Sequence, residues 1–146
     1  MNISGSAIFC DDIRQELGGK YSLMGCYTGS IVFSDALPTV CPKFCIQAEL
    51  SIPLNYDFRT VNFFLEVEME DGESHKIFET GAIEPERPRN LTEEQAAKDD
   101  AVLQINIPVT FTPFEVPTLG VLKMRAYVDD RLIKLGSLII ETATKP

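Results

Sequence analysis

Four cysteines, Cys10, Cys26, Cys41 and Cys45, and two pairs of adjacent acids, Asp11-Asp12 and Asp129-Asp130, are the side chains of this sequence best suited to chemistry. Thiolates act as nucleophiles or zinc ligands, and carboxylates gathered from several loops can supply the roughly six to eight oxygens that calcium takes. The spacing argues against both metals. Cys41-Pro42-Lys43-Phe44-Cys45 is the only close thiol pair. On an extended segment its sulfurs would share a face but lie about 13 Å apart at about 3.3 Å per residue, so only a turn at Pro42 would bring them to one ion. Neither acid pair has the dense Asp spacing of a dedicated calcium loop, and acids at turns are ordinarily solvated. Asp11 and Asp12 still stand out. They follow the apolar Ala7-Ile8-Phe9-Cys10, and adjacent acids at the end of a buried strand are costly unless hydrogen-bonded or solvated.

Catalysis lacks its other components. A cysteine nucleophile needs a base, and His75, the single histidine, sits beside the Asp71-Gly72 turn, where it reads as a solvated loop residue. No Gly-x-Ser-x-Gly elbow is present, and Gly18-Gly19-Lys20 lacks the further glycines and the Ser or Thr of a phosphate loop. These features predict a protein that is not an enzyme and that uses no cofactor and no metal. An even number of cysteines would allow two disulfides. The N-terminus has no basic region followed by a long apolar one, however, so four reduced thiols packed as small hydrophobes are expected.

The elements that must position these residues are strands. In Phe63-Phe64-Leu65-Glu66-Val67-Glu68-Met69-Glu70, residues Phe63, Leu65, Val67 and Met69 share one face and the three glutamates the other, the pattern of a half-buried antiparallel strand. The same alternation places Phe44, Ile46, Ala48, Leu50 and Ile52 inward, with Cys45, Gln47, Glu49 and Ser51 outward. It also places Leu103, Ile105, Ile107, Val109 and Phe111 inward, with Pro108 on the outward side as on an edge strand or bulge. Gly18-Gly19-Lys20 joins two strands as a hairpin, Asp71-Gly72 turns into a short partner near Lys76 to Phe78, and Asp129-Asp130-Arg131 joins a terminal hairpin. Pro85, Pro88 and dense charge mark a long crossover from Glu84 to Asp100, with Thr92 to Gln95 fitting a capping box for one short helix.

Seven to nine strands with regular turn signals predict an all-β chain, an immunoglobulin-like antiparallel β-sandwich over residues 1–146 as one domain, with a small closed barrel as the alternative. Its 146 residues, 45% of them hydrophobic, suffice for a core unaided by metals or disulfides. A net charge of −9 with 13 scattered Lys and Arg predicts no nucleic-acid partner. The absence of any long uncharged apolar run predicts no membrane partner and a cytoplasmic location.

Two surfaces could meet a protein. Glu66, Glu68 and Glu70 form an acidic stripe, extended by Glu49 if the strands are neighbours, that would either stay solvated or face a basic partner. Phe64 interrupts that face and would be a contact point if exposed. Phe111-Thr112-Pro113-Phe114-Glu115-Val116-Pro117 either plugs the end of the sandwich or is held out for a partner, with plugging favoured. Asp11, Asp12, Phe64, Glu66, Glu68 and Phe114 are therefore the candidate partner-binding residues.

The opening Ala7-Ile8-Phe9-Cys10-Asp11-Asp12, the Gly-Gly-Lys turn, Ser22-Leu23-Met24-Gly25-Cys26-Tyr27, and the closing Leu119-Gly120 and Val128-Asp129-Asp130-Arg131 resemble a family of short bacterial proteins of unknown function. The resemblance covers nearly the whole chain and implies an immunoglobulin-like sandwich in the bacterial cytoplasm or a prophage, with no activity or catalytic residue attached. The functional expectation is a non-catalytic module that binds another protein. The alternative is a structural component of a larger assembly such as a phage virion, covered by copies of itself.

Overall fold

A computed structural model describes residues 2–86, 94 and 101–143 of the chain. Its strands are β1 (Ser4–Gln15), β2 (Tyr21–Cys26), β3 (Ser30–Phe33), β4 (Thr39–Cys41), β5 (Phe44–Pro53), β6 (Val61–Met69), β7 (Ser74–Glu79), β8 (Val102–Phe111), β9 (Phe114–Val116), β10 (Gly120–Val128) and β11 (Arg131–Thr142). They form a four-stranded sheet in the order β2-β1-β5-β8, a five-stranded sheet in the order β3-β11-β10-β6-β7, and a two-stranded piece, β4-β9. Every pairing is antiparallel except β3 with β11. The sheets stay open, so the closed-barrel alternative does not hold.

The alternation explains the layers. Phe44, Ile46, Ala48, Leu50 and Ile52 of β5 are fully buried and join Phe63, Leu65 and Val67 of β6 and Leu122 and Met124 of β10 in one core. Each of these side chains larger than Ala48 contributes about 1.5–3 kcal/mol by leaving water. Where β1 faces β11 the layers come very close, and the small residues of the Ser-Gly-Ser-Ala opening permit it. A Cβ on Gly5 would lie 2.5 Å from Leu135 Cδ2 and 2.6 Å from the Glu49 carbonyl oxygen. Pro108 stands on β8, the edge of its sheet, where no ladder bond is lost.

Two expectations change. Among the described residues the strands number eleven, because the stretch between Pro38 and Pro42 and the Phe111 to Pro117 segment contain three-residue strands that pair with each other as Thr39↔Val116, Val40↔Glu115 and Cys41↔Phe114. Cys45 and Gln47, expected outward toward solvent, are buried: both stand on the outer face, but Cys10 and Ile8 of β1 and Thr110 and Pro108 of β8 flank them in register. The capping box at Thr92 to Gln95 lies outside the described residues apart from Glu94.

Candidate functional site

Asp11 and Asp12 do not end their strand. β1 pairs with β5 only as far as Cys10, then continues to Gln15 against β2 alone, so the two acids begin a projecting two-stranded arm. At its tip, Leu17 is 95% exposed. Asp11 accepts a hydrogen bond from the Tyr27 hydroxyl. Gly25, opposite Asp11, has φ 66°, and a Cβ there would overlap Asp11 Oδ2. Burial first, and then the Asp11 carboxylate, push the Tyr27 phenol well above its usual range. Asp12 pairs with Lys43 Nζ at 2.6 Å, and that ammonium holds its carboxyl below the usual range. Both acids are satisfied within the chain.

Two glutamates of the acidic stripe, Glu66 and Glu68, are paired as well, while Glu70 lies just past the end of β6. Lys123 and Arg125 of β10 lie beside β6: Lys123 pairs with Glu68, and Arg125 Nε stands 3.5 Å from Glu66. The Lys123 ammonium lowers the Glu68 carboxyl. Phe64, on the same face, is only 3% exposed: it stacks on Tyr127 at 5.3 Å with Lys76 Nζ 4.9 Å above its ring. A ring covered this way offers a partner no contact, so Phe64 leaves the candidate list. Glu49 does not extend the stripe, because it lies on the other sheet and accepts hydrogen bonds from Ser6 Oγ and Gln104 Nε2, both at 3.1 Å.

Phe114 plugs, as the favoured reading had it. It is 5% exposed and stacks on Phe44 at 4.7 Å. The plug is incomplete. Beside it a groove of about 680 Å³ runs between β4-β9 and the five-stranded sheet. Its floor is made of the core residues Val67, Leu122 and Ile140, and its walls include Val40, Ile77 and Phe111, with Glu115 on the rim. Val40 is 55% exposed and Ile77 42%, so apolar surface at the mouth continues inward to the core. This volume lies within the range of binding clefts, about 300–1,000 Å³.

Bends at Pro42 turn the chain between Cys41 and Cys45, and Cys41 Sγ donates to the Lys43 carbonyl oxygen at 3.1 Å. All four cysteines are free. Among the described residues, no group of three or more His, Cys, Asp or Glu side chains is arranged to hold a metal ion. His75 is exposed beside Glu73, 3.6 Å away. Asp129 accepts hydrogen bonds from the backbone N–H groups of Thr60 and Arg59, at 3.0 and 3.1 Å, and so ties a loop to the terminal hairpin.

A family model for proteins of unknown function, DUF6941, matches residues 5–141. The chain belongs to that family. No curated protein and no solved structure matches it. For this DUF6941 chain the groove residues Val40 and Ile77 carry no periodic signal in the sequence, because β4 and β7 are short and periodicity registers only longer runs.

Proposed function

We propose that this chain is a non-catalytic, immunoglobulin-like β-sandwich module of the cytoplasm that binds an extended apolar segment of another protein in the groove between β4-β9 and the five-stranded sheet. The observation that carries the reading is the continuity of exposed Val40 and Ile77 with a floor of core residues. An apolar anchor such as Leu or Phe entering there would displace water from surface that the fold leaves uncovered. Glu115 on the rim and the net charge of −9 favour Lys or Arg beside the anchor.

Panning a random peptide library against the protein tests this. Enrichment of peptides with an apolar anchor flanked by Lys or Arg, lost against Val40→Arg, is expected. Peptides that bind Val40→Arg equally well, or no enrichment, contradict it.

The arm favours a second reading, a structural component of an assembly such as a virion. Leu17, almost wholly exposed at the tip of a projecting hairpin, is an apolar residue that a neighbouring copy could cover. Sedimentation over a range of concentrations, with Leu17→Asp as control, separates the two readings: a self-associating species lost in the variant supports assembly, and a monomer throughout opposes it.

A further inference from the structure

Three cysteines stand in one row across adjacent strands of the four-stranded sheet, Cys26 opposite Cys10 and Cys10 opposite Cys45. Directly opposed residues of an antiparallel pair project to the same face. We propose that Cys10 and Cys26 form an oxidisable dithiol, closing as a cross-strand disulfide at the base of the projecting arm when a disulfide oxidant of the glutathione class is present.

The choice of this pair follows from the ladder. The Tyr27 N–H donates to the Phe9 carbonyl oxygen at 2.8 Å, so Phe9 and Tyr27 are a hydrogen-bonded pair. The next pair, Cys10 with Cys26, is then the non-hydrogen-bonded kind, whose Cα atoms approach to about 4.5 Å, inside the roughly 4.4–6.8 Å that a disulfide spans. Cys10 and Cys45 form the wider, hydrogen-bonded kind. Cys45 is also engaged, its Sγ 3.7 Å from the Asp11 carbonyl oxygen and 3.6 Å from Thr110 Oγ1. The flanking Asp11 and Tyr27 clamp the two strands through their own hydrogen bond, which fixes the register that opposes the thiols.

Access sets the order of events. Cys26 is exposed and Cys10 fully buried. The Cys26 thiolate attacks one sulfur of glutathione disulfide, forming a mixed disulfide and releasing one glutathione thiolate. Cys10 then loses its proton to solvent, and its thiolate attacks the Cys26 sulfur and expels the second glutathione. Two protein thiols become one disulfide, and two electrons reduce one glutathione disulfide to two glutathiones. Burial and the neighbouring Cys45 push the Cys10 thiol up to about 11, so closure is slow at neutral pH and its rate rises about tenfold per pH unit up to that value.

The test is incubation of the folded protein with glutathione disulfide at pH 7, 8 and 9, acid quench, alkylation and intact-mass measurement. The expected product has lost two hydrogens, after a transient glutathione adduct, and closes about tenfold faster per pH unit. Tryptic mapping should join the Cys10 peptide to the peptide holding Cys26 and Cys41, and Cys26→Ser should abolish that link while Cys41→Ser keeps it. In Cys10→Ser the adduct on Cys26 should persist. A link retained in Cys26→Ser, a link from Cys10 to Cys45, a stable adduct in the unsubstituted protein, or no reaction would each overturn the assignment.

Discussion

The outer face around Phe64 and the groove beside Phe114 exchange the roles their sequences suggest. The first has an aromatic ring among acids, the usual look of a contact surface, yet Tyr127 and Lys76 cover the ring and Lys123 and Arg125 stand against Glu68 and Glu66 from the adjacent strand. The second comes from a segment that plugs the core with Phe114 and Val116, yet it leaves Val40 and Ile77 open above Val67, Leu122 and Ile140. A surface is available to a partner where the chain leaves apolar area uncovered, and a charged stripe whose charges are already paired has little left to offer.

The sharpest way to break that contrast is Phe64→Ser. A covered ring should cost about 3 kcal/mol or more in denaturant unfolding, and a loss under about 1 kcal/mol would mean the ring is a free contact after all. Gly25→Ala comes next. It forces a Cβ into the left-handed region, at about 1–2 kcal/mol, and displaces the Asp11 carboxylate. The melting temperature should fall, and an unchanged one would remove the Asp11–Tyr27 clamp from the account.

Acid titration probes the paired charges. Lys43 beside Asp12, Lys123 beside Glu68, Asn62 and Lys76 beside Glu79, and the backbone N–H groups of Thr60 and Arg59 around Asp129 all hold those carboxyls below their usual range. Groups lowered in the folded state add stability above the unfolded carboxylate value of about 4, and that stability is lost as pH falls through their folded values. The melting temperature should therefore hold from pH 7 to about 5 and decline below about 4. A flat profile down to pH 3 would leave the pairs without energetic weight. The smallest effect belongs to Val40→Arg, which at a half-exposed site should change stability by no more than about 0.5 kcal/mol.

The long strands were legible because alternation over nine or more residues is a strong signal. β5, β6 and β8 fall within a residue or two of their alternating blocks, and the inward residues of β5 with Phe63, Leu65 and Val67 of β6 are buried, although Cys45, Gln47 and Phe64 of the outer faces are buried with them. What escaped depends on residues far apart in the chain. Val40 pairs with Glu115 across 75 positions, and Phe64 meets Tyr127 across 63. The parallel β3–β11 pair and the three-cysteine row are likewise facts of register between strands, which no local pattern records. Family membership carries no activity across, so the groove must be judged by its own chemistry.

Fluorescence anisotropy of a labelled, library-selected peptide with an apolar anchor and a flanking Lys, titrated with the protein and with Val40→Arg, tests the central claim most directly. Saturable binding to the unsubstituted chain, weakened at least about tenfold in a variant that unfolds at the same denaturant concentration, is the result the groove predicts. Equal binding by both proteins would contradict it and move the contact surface elsewhere on the molecule.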